Sequence, residues 1–415
     1  MKYGLIGKSL SHSYSKLIHE QLDSKPYELL SLTENELNLF LKTKDFLGIN
    51  VTIPYKETVI KYLDEIDEIA KKIGSVNTII NTNGLLKGYN TDYYGLKRLF
   101  IKSKIDVKNK NCFILGSGGT KNTAYKLLKD LGAKSIHIVS RNKSNNTITY
   151  DELNKRDDVE IIINTTPVGM YPNIEGSLLD LSLFTSLEGI VDVVYNPYQT
   201  RLVTQAKLLG IKAIGGLEML VEQGIKASEL FLSTQYDSTI FNKVYSSLYY
   251  SRRNIVLIGL PMSGKTTIGK ELSDKLNKKF IDLDEEIEKE TNMSINKIFS
   301  RYGESYFRKL EKDITLKYSK ETNLIISTGG GVIKDKENMF NLISNGLVIY
   351  LTRDYDKLIY SSSRPLTKTK DDYLKLKEER DSLYKLYSDY QVDNSSSKEE
   401  CINKIKEIFY ESINY

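Results

Sequence analysis

The sequence predicts an α/β protein built on parallel sheets with helices on both faces. Three observations carry that expectation. Short apolar runs alternate with amphipathic stretches along the whole chain, and continuous apolar runs set between helices read as strands buried on both faces. Two of those runs pass directly into a glycine-rich turn and a helix-like stretch, at "NCFILGSGGTKNTAYKLL" (111–128) and "NIVLIGLPMSGKTTIGKEL" (254–272). A chain of 415 residues is also too long for one ordinary core, so two or three domains are expected.

In chain order, "YGLIG", "GINVTI", "NCFILG", "SIHIVS", "EIIINTT" and "GIVDVV" read as strands of the first part. "NIVLIGL", "KFIDLD", "LIISTGGG" and "LVIYLT" read as strands of the second, with helical patterns such as "NTAYKLLKDLGA" and "TIGKELSDKL" between them. The polar "KSKIDVKNK" divides the first part near residue 100, and "SSLYYSRR" at 246–253 is expected to be the linker between the two parts. Composition narrows the function. Net charge is +5, with Lys and Arg spread along the chain and no basic stripe interleaved with aromatics, which argues against a nucleic-acid partner. Cys112 and Cys401 form no CxxC pair, and His12, His19 and His137 form no metal cluster. No run approaches the roughly 20 apolar residues of a membrane span, so a cytoplasmic enzyme of small substrates with no membrane partner is expected.

The turn at 259–266, "GLPMSGKT", has the spacing GxxxxGK[ST] of a loop that cradles a polyphosphate. Gly259 and Gly264 permit the curvature that exposes backbone N–H groups, and Ser263 and Thr267 flank the cradle. Lys265 would reach the β- and γ-phosphates of ATP, and Thr266 would ligate Mg²⁺. Asp282 and Asp284 close "FIDLD" and are expected on opposite faces, one supporting the metal and the other touching the acceptor. Capping of the following helix would also place acids there. "STGGGVI" (327–333) offers exposed backbone to a small acceptor, while Arg308 and Arg380 read as surface residues by spacing alone.

The turn at 116–120 begins a dinucleotide fingerprint with Gly116 and Gly118. Lys121 stands where a third glycine belongs, so the pattern is GxGGxxxA with Gly119 and Ala124. The next strand ends in Ser140, Arg141 and Lys143 without an acid, which points to the 2′-phosphate of NADP rather than the ribose of NAD. Ser13 and Ser15 could hold a carboxylate or ring hydroxyls, or cap a helix. Lys56 and Asp92 would make a pair suited to reducing a ketone, although spacing alone reads them as two exposed ions.

Longer stretches resolve these alternatives. "GLPMSGKTTIGKEL", "FIDLDEEIE", "GESYFRKLEKD", "STGGGVI", "RPL" and "LKEERDSLY" resemble shikimate kinase over about 254–415. That resemblance implies a P-loop, NMP-kinase-like α/β domain with a parallel sheet. It implies that Asp284 orients the acceptor hydroxyls, that Arg308, Gly330 and Arg380 bind shikimate, that Asp282 assists Mg²⁺, and that Arg364 reaches the transferring phosphoryl from a lid. The lid segment is short, and the family's adenine-stacking arginine has no counterpart, with Tyr360 a candidate substitute. "GKSLSHSYSKLIHE", "INVTIPYKE", "GSVNTI", "GYNTDYYG", "NTTPVGM", "DVVYNP" and "GGLEMLVEQG" resemble shikimate dehydrogenase over about 1–250. That implies a substrate domain (1–100, completed by about 225–250) and an NADP-binding Rossmann domain (101–224). Ser13, Ser15, Thr52, Asn77, Asp92, Tyr195 and Gln223 would bind shikimate, Lys56 and Asp92 would be the catalytic pair, and Gly116, Gly118, Gly119, Thr120, Arg141 and Lys143 would hold NADP. Two readings compete with a bifunctional enzyme: a quinate-directed dehydrogenase joined to another small-metabolite kinase, and a chain in which one half only senses or binds.

Overall fold

The computed structural model describes residues 2–10, 13–354 and 370–414. The chain forms two units, 1–170 with 176–248, and 171–175 with 249–415. Among the described residues there are three sheets.

The first sheet comprises β1 (Tyr3–Gly7), β2 (Tyr27–Ser31), β3 (Gly48–Val51), β4 (Glu65–Ile66), β5 (Thr78–Thr82) and β6 (Leu85–Tyr89), in the order β2-β1-β3-β5-β6-β4. It is mixed rather than parallel, because β5 runs antiparallel to both β3 and β6. The cause lies in "NTNGLL": Asn83 and Gly84 both have positive φ (53° and 89°), the backbone of a two-residue hairpin turn that Asn-Gly favours. Ile6, Leu37, Leu41, Ile49, Val51, Ile79 and Leu86 fill one face. On the other, Ala227 and Phe231 of the helix Leu217–Leu232 pack on Tyr3, Leu5 and Tyr27.

The second sheet holds β7 (Asn111–Leu115), β8 (Ser135–Val139), β9 (Thr147–Ile148), β10 (Ile161–Asn164), β11 (Gly189–Asp192) and β12 (Lys212–Ile214), ordered β12-β11-β10-β7-β8-β9. All its pairings are parallel, as the apolar runs predict. The strand order reverses between β7 and β10, so a crevice opens there beyond the strands' carboxyl ends.

The second unit contains β13 (Asn254–Ile258), β14 (Lys279–Asp282), β15 (Leu324–Ser327), β16 (Gly346–Thr352) and β17 (Tyr390–Asp393) in a parallel sheet ordered β14-β15-β13-β16-β17. Ile255, Leu257, Ile325 and Ile349 face the helices Lys265–Leu276 and Lys398–Glu411 through Ile268, Leu272, Ile402 and Ile405.

The segment expected to be a linker is helical. One helix runs Thr239–Arg252, and β13 starts at Asn254. Phe241, Val244, Tyr245, Leu248 and Tyr249 recur at helical spacing and are all buried, which outweighs the polar look of "SSLYYSRR". Tyr250 lies against Phe409 and Tyr410, with ring centroids 5.4 and 5.2 Å away. Lys278 Nζ donates to the carbonyls of Tyr250 (2.7 Å) and Arg253 (2.9 Å). Burial pushes the Lys278 ammonium down to about 8. No helix among the described residues is long and apolar enough to cross a membrane.

Candidate active sites

In the first unit the chain brings Lys56 and Asp92 together. Lys56 Nζ lies 2.5 Å from Asp92 Oδ2, with side chains 15% and 9% exposed. Asp92 opens the helix Asp92–Ser103, where an acid also complements the helix dipole. Its other oxygen accepts from Asn77 Nδ2 at 2.9 Å. Asn77 is locked in turn. Its amide also donates to Thr91 Oγ1 (3.0 Å), and its Oδ1 accepts from Thr91 N (2.7 Å). The aspartate therefore presents one oxygen, in one rotamer, to the ammonium.

The other expected residues lie on the following segments. Ser13 Oγ accepts from Ser15 N at 3.2 Å, so the two serines share one turn ahead of the helix Ser15–His19. Tyr14, between them, lies 5.2 Å ring to ring from Tyr195, and burial pushes the Tyr195 phenol up to about 12. Thr52 follows β3, its N–H bonded to Ile6 O at 2.9 Å. Gln223 donates to Leu220 O within its own helix at 2.8 Å; the next residue, Gly224, packs so closely on Ile18 that a Cβ there would lie 2.9 Å from a methyl carbon.

The first glycine turn fits a dinucleotide. Gly116 has φ 108°, and a Cβ there would stand 2.8 Å from Thr166 Cγ2. Gly118 caps the helix Gly119–Asp130 with no side-chain cap bond, and Thr120 lies in that first turn, so the backbone N–H groups at this helix start could meet a pyrophosphate. A Cβ on Gly119 would lie 3.9 Å from Lys56 Cβ, which sets the turn beside the Lys56–Asp92 pair. Arg141 and Lys143 follow β8 as expected. Lys143 is engaged with Glu152, and Arg141 acts on the half-buried Tyr150.

In the second unit a cavity of about 650 Å³ opens at the carboxyl ends of the strands. Gly264 (φ 94°) caps the helix Lys265–Leu276 with no side-chain partner. Lys265 Nζ folds back on the carbonyls of Gly259 and Leu260, both at 2.9 Å, and lies 3.5 Å from Ser263 Oγ. Thr266 Oγ1 donates to Asp282 Oδ2 at 2.7 Å. A hydroxyl and a carboxylate converging on the cradle are the hard oxygen donors that suit Mg²⁺. Thr267 lines the same cavity.

Asp282 and Asp284 are not on opposite faces: both line this cavity. Residues two apart on a strand already point to one side, which corrects the expectation of opposite faces; β14 stops at Asp282, which becomes the N-cap of the helix Leu283–Thr291 and accepts from Asp284 N and Glu285 N. Burial, reinforced by the charges of Asp282 and Glu311 and opposed by Lys265 and Arg308, pushes the Asp284 carboxyl up to about 7. Arg308 and Gly330 share the cavity, and Arg380 Nη1 donates to Gly330 O at 2.7 Å. The glycine triplet is required by space. A Cβ on Gly329 would meet Asp284 Oδ1 at 2.8 Å, and one on Gly331 would meet Arg308 Nη2 at 2.5 Å. Arg364 and Tyr360 lie outside the described residues.

Sequence reasoning missed Glu311. It is 1% exposed, its Oε2 accepts from Arg308 Nη1 at 2.8 Å, and its Oε1 has no hydrogen-bond partner among the described residues. The clue was its position three residues after Arg308 on one helix face. Thr91 and Asn50 were missed too. Asn50 Nδ2 donates to Asn77 O (3.3 Å) and Thr78 Oγ1 (3.0 Å), next to the asparagine that holds Asp92.

Comparison with known proteins finds a family for each part of the chain. Residues 5–79 match the family model "Shikimate dehydrogenase substrate binding domain", and 261–410 match "Shikimate kinase". The NADP(+) shikimate dehydrogenase of Clostridium beijerinckii is 38% identical over 261 residues, covering 59% of this chain and 96% of that protein. The crystal structure of shikimate dehydrogenase 1 from Peptoclostridium difficile is 37% identical with a TM-score of 0.56, covering 60% of this chain and 98% of that one. A Thermus thermophilus shikimate 5-dehydrogenase structure, in complex with NADP(H) and shikimate, is 27% identical with a TM-score of 0.53, covering 60% and 99%. The chain belongs to the shikimate dehydrogenase family over its first part and carries a shikimate kinase domain over 261–410 of the same polypeptide.

Proposed function

We propose that this chain performs two consecutive reactions on one carbon skeleton: NADPH-dependent reduction of 3-dehydroshikimate to shikimate, then ATP- and Mg²⁺-dependent phosphorylation of shikimate to shikimate 3-phosphate. The observation that carries the reading is the pairing of an ordered Lys56–Asp92 couple beside a dinucleotide turn with a phosphate cradle that faces Asp284.

In the reduction, the ketone carbon gains a hydride from the nicotinamide and its oxygen gains a proton. Lys56 stabilises the developing alkoxide and donates that proton, while Asp92, held by Asn77, aligns the ammonium. Ser13, Ser15, Thr52, Tyr195 and Gln223 bind the carboxylate and hydroxyls. Gly116, Gly118, Gly119 and Thr120 hold the pyrophosphate, and Arg141 and Lys143 the 2′-phosphate.

In the phosphorylation, the 3-hydroxyl oxygen bonds to the γ-phosphorus, the bond to the bridging oxygen breaks and ADP leaves. The hydroxyl proton passes to Asp284, whose raised pKa makes it a competent acceptor near neutrality. Lys265 swings from its loop carbonyls to the phosphates. Arg308 and Arg380 bind the substrate carboxylate beside Gly330. Thr266 and Asp282 hold Mg²⁺, which neutralises phosphate charge when bound. Arg364 belongs to this set by resemblance alone. The reading implies small-molecule partners and a cytoplasmic enzyme of aromatic amino-acid biosynthesis.

The test is a coupled assay with purified chain, 3-dehydroshikimate, NADPH, ATP and Mg²⁺. Shikimate 3-phosphate is the expected product. Accumulation of shikimate with no phosphorylated product would remove the second activity.

A further inference from the structure

Asp192, the last residue of β11, is fully buried, and no described cation pairs with it. A buried carboxylate is costly unless hydrogen bonds satisfy it, and a well-packed apolar residue is often cheaper. Three donors from three segments meet it. Asn164 Nδ2, at the end of β10, and Val194 N, in the following loop, both reach Oδ1 at 3.0 Å. Thr200 Oγ1, the N-cap of the helix Arg201–Leu208, reaches Oδ2 at 2.6 Å.

Each bond leads on to a part of the dehydrogenase site. Asn164 Oδ1 accepts from Thr166 N (3.0 Å) and Thr166 Oγ1 (2.7 Å), which fixes the threonine whose methyl abuts Gly116. Val194 is followed by Tyr195, and Val194 O accepts from Gly216 N (2.8 Å), where the helix bearing Gln223 begins. Asn164 thus ends the strand that borders the point where the order reverses, and its bond to Asp192 joins the loops after β10 and β11.

We propose that Asp192 is a positioning residue for the reduction, setting the Gly116 turn, Tyr195 and the Gln223 helix in register with one another. The proposal rests on the reading of Lys56 and its neighbours as the dehydrogenase site, and the experiment separates the two. Asp192→Ala removes all three acceptor contacts. Dehydrogenase kcat and kcat/KM fall together by up to about 100-fold, the scale of a misplaced reacting group. Asp192→Asn restores the register: its oxygen accepts from Asn164 and Val194, and its amide donates to Thr200 Oγ1. Activity is therefore expected to return to within a few-fold of wild type. Kinase turnover of the same purified chains is unchanged throughout.

Lys56→Ala is the control. If it keeps full reductase activity, the site reading fails. If it is inactive while Asp192→Ala stays within twofold of wild type, the positioning role fails. An Asn variant as impaired as the Ala variant overturns it as well. Should the Ala chain lose its cooperative melt, Thr166→Val decides: it deletes the hydroxyl's bond to Asn164 together with the one it accepts from Val168 N, and an unaltered kcat/KM there overturns the proposal.

Discussion

At the scale of single residues, pairing converts ordinary ions into reagents. Lys56 and Asp92 are 36 positions apart and become a couple only because β3, β5 and the helix at Asp92 meet at one end of the first sheet. Lys56→Ala is expected to lower NADPH oxidation with 3-dehydroshikimate by about 10²–10⁴-fold while leaving phosphorylation of added shikimate intact, as two single-substrate assays would show. Asp284 makes a pH prediction. Its carboxyl is protonated below about 7 and cannot accept the hydroxyl proton, so kinase kcat should rise as pH passes through about 7. Linkage gives the stability counterpart. The folded state holds this proton to higher pH than the unfolded chain does, so stability falls as pH rises from about 4 to about 7. Asp284→Asn should abolish phosphorylation yet raise stability above pH 7 by roughly 1–3 kcal/mol, with no gain below pH 4, measured by denaturant melts. The two glycine turns, with Lys265 and Thr266, were legible because each is one contiguous stretch between a strand and a helix. Glu311, Asn50 and Asp192 were not, because each acts through a neighbour remote in sequence, and a buried polar residue looks like any other until its partners are placed.

Among the elements, two turns show how a local dihedral decides what a sheet or helix can do. Asn83–Gly84 turns β5 back on itself and breaks the all-parallel pattern that the apolar runs suggest. The dipeptide was readable as a hairpin, but its flanking strands are too short and too polar for apolar patterning to mark them. The segment Ile295–Ser319 is interrupted at Gly303, with φ 80° and ψ 174°. That conformation is essentially restricted to glycine. The break lets Ile295, Asn296 and Phe299 on one side and Phe307, Arg308 and Glu311 on the other line the same cavity. Gly303→Ala meets no atom within 4 Å, so its penalty is purely conformational, about 1–3 kcal/mol. The expected outcome is a raised KM for shikimate in the kinase assay with the dehydrogenase rate unchanged; an unchanged KM would show that the kink does not shape the acceptor site.

Across the whole molecule, each unit holds a complete set of the expected catalytic groups among its own described residues, apart from Arg364. The two activities are therefore separable by mutation. A mixture of Lys56→Ala and Asp284→Ala chains should still convert 3-dehydroshikimate to shikimate 3-phosphate through released shikimate, whereas either variant alone should not. The parallel sheets and both phosphate-binding turns were readable from apolar runs and glycine spacing. The units divide within 246–253, but that this segment is helical was hidden because its tyrosines mask helical burial behind polar tips. That continuity bears on how the gene can be cut. A kinase fragment beginning at Asn254 would discard the aromatic rings of Tyr249 and Tyr250 and both backbone carbonyls that receive the Lys278 ammonium, leaving it Asn323 Oδ1. It would lose two of the three acceptors of a buried cation, so a shortened enzyme should begin upstream of Tyr249 to remain expressible.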